Sequence, residues 1–310
     1  MKQLSVFSFG GETFLASPLS HSWAWIVGLS CSLLIGGAAY WKRSLTGSGW
    51  AAAVVVGTLL YALGNLVWFA TLIAFFVSSS VLSKWKRYVK RQAEAGYEKT
   101  GGRDAWQVAA NGLPGTLLCV AHAIWPSPLW LIAFIGIMAA VNADTWATEI
   151  GGLSRSRPRS ILSGKAVPTG TSGGVSLLGT AASVAGAGFI GVVAFICLFL
   201  SPASAMDATN GIQLGYLPLF KVGIVLILSA AIGGTLGAFV DSLLGATLQR
   251  MYRCTVCGSI VERQLHCHKP TAFTRGFRWM NNDAVNIISS LFGAAVALAV
   301  WMICYQTSLF

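Results

Sequence analysis

Long apolar runs separated by short polar stretches account for most of the chain. They cover Ser22–Trp41, Trp50–Ser80, Trp106–Ala123, Pro128–Thr148, Gly173–Ser201, Val222–Leu248 and Ala284–Ile303. Runs of this length predict helices that span a bilayer, whose hydrocarbon core is about 30 Å thick and takes about 20 apolar residues to cross. The second run is too long for one span: as a single helix it would reach roughly 46 Å at ~1.5 Å per residue. Gly64-Asn65 lies in its middle and predicts a tight turn there. The split gives eight helices; without it there are seven. The fold class read from this pattern is an all-α, polytopic integral membrane protein.

Composition agrees. Of 310 residues, 55% are hydrophobic and 10% charged, against about 25% charged in a soluble domain. No stretch outside the runs is large enough for a soluble domain, so residues 1–310 read as one transmembrane domain. The net charge of +11 reflects loop charge, not nucleic-acid binding, because the basic residues do not alternate with aromatic ones. With eight spans, the loops 42–49, 83–104, 149–172 and 249–283 share one side and hold 19 of the 21 Lys and Arg residues. The positive-inside rule makes that side cytoplasmic, or its stromal equivalent. The run Lys84 to Arg91, K-W-K-R-Y-V-K-R, predicts an interfacial helix on anionic lipid. The N-terminus shows no short apolar stretch with a clear cleavage site, so no signal peptide is expected.

Against this background the acidic residues stand out. N-A-D-T-W-A-T-E-I-G-G puts Asp144 and Glu149 at the end of an apolar run. Asp241 lies near the same boundary, on a face shared with Gly233, Gly237 and Gly245 at every fourth residue. Asp283 opens the last span in N-N-D-A-V-N, beside Asn282 and Asn286. A carboxylate within a span costs free energy and marks function by default. Carboxylates with amide and hydroxyl oxygens are hard ligands that suit Mg²⁺, which binds through one or two carboxylates plus substrate phosphates. Phosphate in turn needs cations and backbone donors. K-A-V-P-T-G-T-S-G-G-V-S supplies Lys165, Thr169, Thr171 and Ser172, with Gly170, Gly173 and Gly174 at the foot of a helix, where free N–H groups cradle anions. It is not a Walker A loop. Arg103 and Asn111 reach the same membrane face from G-G-R-D-A-W-Q-V-A-A-N-G.

Residues 250–280 form a polar insert on the basic side, between the last two spans. R-C-T-V-C-G-S-I-V-E-R-Q-L-H-C-H places Cys254 and Cys257 ahead of His266, Cys267 and His268. Three cysteines and one histidine would close a structural zinc site. The spacing leaves open which of the two histidines binds. Cys31, Cys119, Cys197 and Cys304 lie singly in apolar runs, where cysteine acts as a small hydrophobe.

The segments N-A-D-T-W-A-T-E-I-G, K-A-V-P-T-G-T-S-G-G-V-S-L-L-G, F-V-D-S-L-L-G-A-T and N-N-D-A-V-N resemble the motifs of a widespread membrane-protein family. It was long of unknown function and includes the phytyl-phosphate kinase of plant and cyanobacterial tocopherol synthesis. S-L-T-G-S-G near Ser44 and R-D-A-W-Q-V-A-A-N-G near Arg103 extend the resemblance over most of the chain after residue 40. It implies phosphoryl transfer from a nucleoside triphosphate, CTP by expectation, to a membrane isoprenyl monophosphate such as phytyl or geranylgeranyl phosphate. On that reading Asp144 holds Mg²⁺, with Asp241 or Asp283 at a second position. Lys165, Arg103 and the 170–174 amides balance phosphate charge, and Glu149 supports the ligands. The cysteine loop, missing from some relatives, has a structural role.

Two other readings use the same residues. A transporter of a phosphorylated or lipid substrate would also need polar groups within its spans, but at the midplane and not at one boundary. A prenyl-alcohol kinase or a nucleotidyltransferase making a CDP-lipid would share the site and differ only in product. The prenyl chain, the nucleotide and any homo-oligomeric state are not fixed by the residues.

Overall fold

The computed structural model of the chain describes residues 22–86, 88–89, 96–99, 101–200 and 219–306. The N-terminal stretch, and Arg87, Lys90 and Arg91 of the 84–91 basic run, lie outside these, and with them the expectations attached to both segments. Eight helices of 18 to 29 residues make up most of the described chain. They are α1 (Ser22–Trp41), α2 (Gly47–Gly64), α3 (Leu66–Lys84), α4 (Ala105–Ile124), α5 (Pro128–Gly151), α6 (Leu177–Leu200), α7 (Leu219–Thr247) and α8 (Asn282–Gln306). Seven are long and apolar enough to cross a membrane. The exception is α4, which has the length but carries Gln107, Asn111, Pro114 and His122.

The long second run breaks where the sequence predicts. Asn65 has a φ of 87° and closes both helices. Its N–H donates to the Tyr61 carbonyl, and its side-chain oxygen accepts from Val67 N at 2.8 Å. Asparagine is found at positive φ more often than most residues, and here one residue ends α2 and starts α3. The predicted Gly173–Ser201 span is shorter than expected: Gly174–Val175 is a strand, β2, paired with β1 (Arg159–Ser160), and α6 begins only at Leu177. Apolarity alone carries the run four residues too far toward the glycine loop, which the sequence places just ahead of this helix.

The centre of the bundle is α5, which packs against α3, α4, α6, α7 and α8. Ser127 caps it, Pro128 stands at its first turn, and every residue from Leu131 to Ala143 is buried. A helix apolar on all sides is one buried on all sides. Its contact with α7 and α8 is unusually close. A Cβ added to Gly136 would lie 2.7 Å from the Cβ of Ala297, and one on Gly237 2.6 Å from the Cβ of Ala140. Small residues at such crossings let backbones approach and gain packing contacts within a membrane.

The insert between α7 and α8 is a small antiparallel sheet and not a bare loop. Its strands are β3 (Met251–Cys254), β4 (Ile260–Val261), β5 (Leu265–His266) and β6 (Lys269–Arg275), in the order β4-β3-β6-β5. Short strands interrupted by turns carry too little periodicity to show in an otherwise helical sequence.

Gly237→Val is expected to cost about 1–3 kcal/mol through overpacking, read as a lower midpoint of thermal unfolding in detergent. Gly188→Val, where an added Cβ meets nothing within 4 Å, should leave the midpoint unchanged.

Candidate active site at one end of the bundle

Each of the three central helices passes from close packing to polarity within one turn. Asp144 follows Ala140 on α5, Asp241 follows Gly237 on α7, and Ser289 precedes Gly293 on α8, in each case by four residues. The three side chains therefore emerge together where the packing ends. Ser289 Oγ donates to Asp241 Oδ2 at 3.1 Å. Asp144 has no hydrogen-bond or ion-pair partner among the described residues. It faces Asp241 and Glu262 closely enough for mutual repulsion.

These carboxylates line a cavity of about 390 Å³. It also collects Glu149, Asp283, Arg103, Asn111, Asn282, Asn286 and the whole stretch Thr169–Gly174. Lys165 is the exception: it is exposed and does not line the cavity. The glycine loop is seated on α7. A Cβ on Gly173, whose φ is 81°, would lie 2.4 Å from the Cβ of Ala246. One on Gly245 would lie 2.5 Å from Ser172 Oγ. The stripe of small residues on α7 thus packs first on helices and then on this loop. Ser172 Oγ donates to Gln249 Oε1 at 2.9 Å, and Ser176 caps α6 by accepting from Gly179 N.

Of the four Lys and Arg residues that line the cavity, two are held by partners at its wall. Arg103 donates to Ser80 and Ser79, each at 3.0 Å, and lies over the Phe75 and Phe76 rings. Burial lowers its pKa from the ordinary guanidinium value, opposed by the charge of Glu149. Lys99, which the sequence reading did not single out, replaces Lys165 at the wall. It binds Asp283 at 2.7 Å and Asp104 at 3.1 Å. Burial pulls its pKa down, but the hydrogen bonds to Asp283 and Asp104 outweigh this and hold it above the usual lysine value. The sequence carries no signal for this: Lys99 and Lys165 are both loop lysines on the basic side.

A serine run at the end of α3 supplies further partners. Ser78 donates to Asn142 Oδ1 at 3.0 Å, and Ser83 donates to Glu149. Asn142 in turn donates to the Gly186 carbonyl at 2.7 Å, so it joins helices and does not line the cavity.

Glu262 reaches the cavity from the β-insert. Burial raises its pKa, while the hydrogen bond from the Glu98 amide pulls it back. The insert also grips the segment that carries Lys99. Glu262 N donates to the Gly96 carbonyl, Arg263 donates to the Tyr97 carbonyl, and Arg250 pairs with Glu98.

Within the insert, the ligand atoms of Cys254, Cys257, His266 and Cys267 lie within 4.8 Å of one another. His266 Nδ1 is 3.5 Å from Cys257 Sγ and 3.4 Å from Cys267 Sγ. His268 does not join this group. Among the described residues, this is the one set of three or more His, Cys, Asp or Glu side chains that converges on a single point. Asp144, Asp241 and Asp283 share the cavity without such convergence. The Cys254 thiol is pulled down, first by the Cys257 backbone N–H. Cys267 is pushed up to about 11, by desolvation first and then by the neighbouring sulfurs.

The family model of the integral membrane protein DUF92 matches residues 30–294. Protein PGR of Arabidopsis thaliana is 31% identical over 274 residues, covering 84% of this chain and 90% of that protein. An uncharacterized membrane protein of Methanocaldococcus jannaschii is 27% identical over 263 residues, 84% of this chain and 87% of its own. The chloroplastic protein VTE6 of Arabidopsis thaliana is 25% identical over 290 residues, 92% of this chain and 73% of that protein. No solved structure matches. The matched span takes in both the close-packed helices and every carboxylate of the cavity: the chain belongs to the DUF92 family of integral membrane proteins.

Proposed function

We propose that this protein is a prenyl-phosphate kinase. It transfers the γ-phosphoryl group of a nucleoside triphosphate, CTP on the family resemblance, to an isoprenyl monophosphate such as phytyl or geranylgeranyl phosphate. The likeness to the chloroplastic protein VTE6 supports this. The observation that carries it is Asp144: an unpaired carboxylate facing Asp241 in a cavity that also holds Arg103, Lys99 and a glycine loop. By the positive-inside rule the cavity opens on the cytoplasmic or stromal side, where a soluble nucleotide and a lipid-borne phosphate can meet.

The donor set fits Mg²⁺. Six carboxylates and four Lys or Arg residues line the cavity, so its own charge would repel a polyphosphate. Asp144 and Asp241 would hold the ion, with Glu262 across the cavity; Asp283 is engaged by Lys99. Bound there, Mg²⁺ neutralises phosphate charge, the main requirement of phosphoryl transfer. The chain's own residues supply the rest. Arg103 presents remaining N–H donors to an acceptor phosphate. Lys99 offers charge to the donor phosphates, and the 170–174 loop offers backbone amides. An acceptor phosphate oxygen attacks the γ-phosphorus as the β,γ-bridging bond breaks, and the nucleoside diphosphate leaves with the electron pair. The acceptor is already an anion, so no strong base is needed.

The insert's four converging side chains fit structural Zn²⁺. A tetrahedral site with Zn–S of about 2.3 Å and Zn–N of about 2.0 Å has ligand–ligand edges near ~3.5–3.8 Å, close to the sulfur–nitrogen distances here. Zinc would also let all three thiols lose their protons. It would hold the sheet that presents Glu262 and grips the 96–99 segment.

In lipid nanodiscs with Mg²⁺, γ-labelled CTP and phytyl phosphate, label is expected in phytyl diphosphate. Asp144→Asn should lower the rate by roughly 10²–10³-fold, as loss of a preorganised charge contact does. Lys99→Met should also slow transfer. Lack of transfer from any of the four nucleotides to phytyl or geranylgeranyl phosphate would overturn the reading. Elemental analysis of the purified protein should give one zinc per chain. His266→Ala should lose it, His268→Ala should retain it, and chelation should lower thermal stability.

A further inference from the structure

Beside the polar cavity lies a second pocket of opposite character, enclosed by α1, α2, α3 and α4. Its walls are Ile35, Ala53, Leu72, Ile73, Phe76 and Val108, and almost all of its lining surface is apolar. Buried Gly57 and Gly36 keep its floor open. The two pockets meet at one place: Arg103, Gln107 and Asn111 line both. There the guanidinium of Arg103 lies over Phe75 and Phe76, with two of its N–H groups on Ser79 and Ser80. Three of its five donors remain for an anion. Asn111 Oδ1 and Ser32 Oγ are buried here without a hydrogen-bond partner. Ile35, Leu72, Ile73 and Phe76 stay partly exposed on helices apolar enough to face lipid.

We propose that this pocket binds the phosphate-proximal end of the isoprenyl chain of the acceptor, with Arg103 gripping its phosphate at the junction; this rests on the kinase reading above. A cation at the inner end of an apolar pocket complements an amphiphile with an anionic head and an apolar tail. The two pockets keep head and tail apart, so the head meets the nucleotide side while the tail stays out of water. The pocket measures about 50 Å³, where one water needs ~10–15 Å³ by such a measure. It therefore takes the first one or two isoprene units and leaves the remainder to the bilayer. Selection then falls on the branched, allylic end of the chain, and acceptors of different length are treated alike beyond the second unit.

The test is photolabelling in nanodiscs without nucleotide. The probe is a geranylgeranyl monophosphate analogue with a diazirine in its first isoprene unit. Adducts mapped by mass spectrometry are expected within 53–57 and 72–76. Excess geranylgeranyl phosphate should suppress them at least tenfold, and geranylgeraniol, which lacks the phosphate, far less. Ala53→Phe should reduce labelling about tenfold. Ala53→Leu, a smaller plug, should give an intermediate loss and serves if the larger one does not fold. Adducts spread over the lipid-facing sides of α6 and α8 would overturn the assignment. So would competition by phosphatidic acid equal to that by the prenyl phosphate, which would make the pocket an acyl-chain groove. Because nucleotide is left out, correct labelling without phosphoryl transfer sinks the kinase reading alone. Transfer with adducts elsewhere sinks this inference alone.

Discussion

The close crossing of α5, α7 and α8 is the constraint on which the other features depend. Lipid tails are as apolar as leucine, so helices in a membrane gain little from burial and must gain from contact. Gly136, Gly233, Gly237 and Gly293 bring three backbones within reach of one another: a Cβ on Gly233 would come 2.6 Å from the Gly293 carbonyl oxygen. A contact this short fixes rotation and height together. Polar residues one turn further on inherit that precision. Asp241 can face Asp144 and accept from Ser289 because none of the three helices is free to turn away.

Around this core, polar groups are matched so that few carboxylates face low dielectric alone. Ser83 serves Glu149, Lys99 serves Asp283, and the Glu98 amide serves Glu262. The serine run at the end of α3 acts as a polar lining for its neighbours, with Ser78 on Asn142 and Ser79 and Ser80 on Arg103. An acid within a span costs free energy that falls toward the interface. Local hydrogen bonds reduce it further. Asp144 lacks such a partner, which is why it is the residue whose charge most needs one from outside the chain.

Much of this was legible in the sequence because membrane spans and their breaks follow from length and apolarity. The break at Asn65 and the polar ends of α5, α7 and α8 were read from runs and four-residue spacing. So was the gathering of the glycine loop with Asp144 on one side. What escaped has physical reasons. The two-residue strand at Gly174–Val175 is too short to show a period, so the apolar run counted from Gly173 overstates a helix that begins only at Leu177. Lys165 and Lys99 are both loop lysines on the basic side, so sequence gives no means to choose between them. The choice is made by Asp104 and Asp283, which come together with Lys99 only in three dimensions. Glu262 was hidden in a segment that reads as a cysteine motif. The same spacing left His266 and His268 equivalent until the β5–β6 turn pointed only His266 at the sulfurs.

The β-insert gives the cavity a wall that the bundle cannot. Helices α5, α7 and α8 supply acids and hydroxyls, and the 96–99 segment beside them has no regular structure of its own. Gly96, Tyr97 and Glu98 are each held by the insert, through Glu262, Arg263 and Arg250. Arg250 N also bonds to the Met280 carbonyl, and Phe277 N bonds to the Leu248 carbonyl, so the sheet is tied to the end of α7 and the start of α8. A rigid sheet across that gap fixes Lys99 against Asp283 and sets Glu262 opposite Asp144. The cluster of three cysteines and His266, where we propose zinc, lies in the same sheet. An ion held there would act on the cavity through those hydrogen bonds and one ion pair, since none of the four side chains lines the cavity.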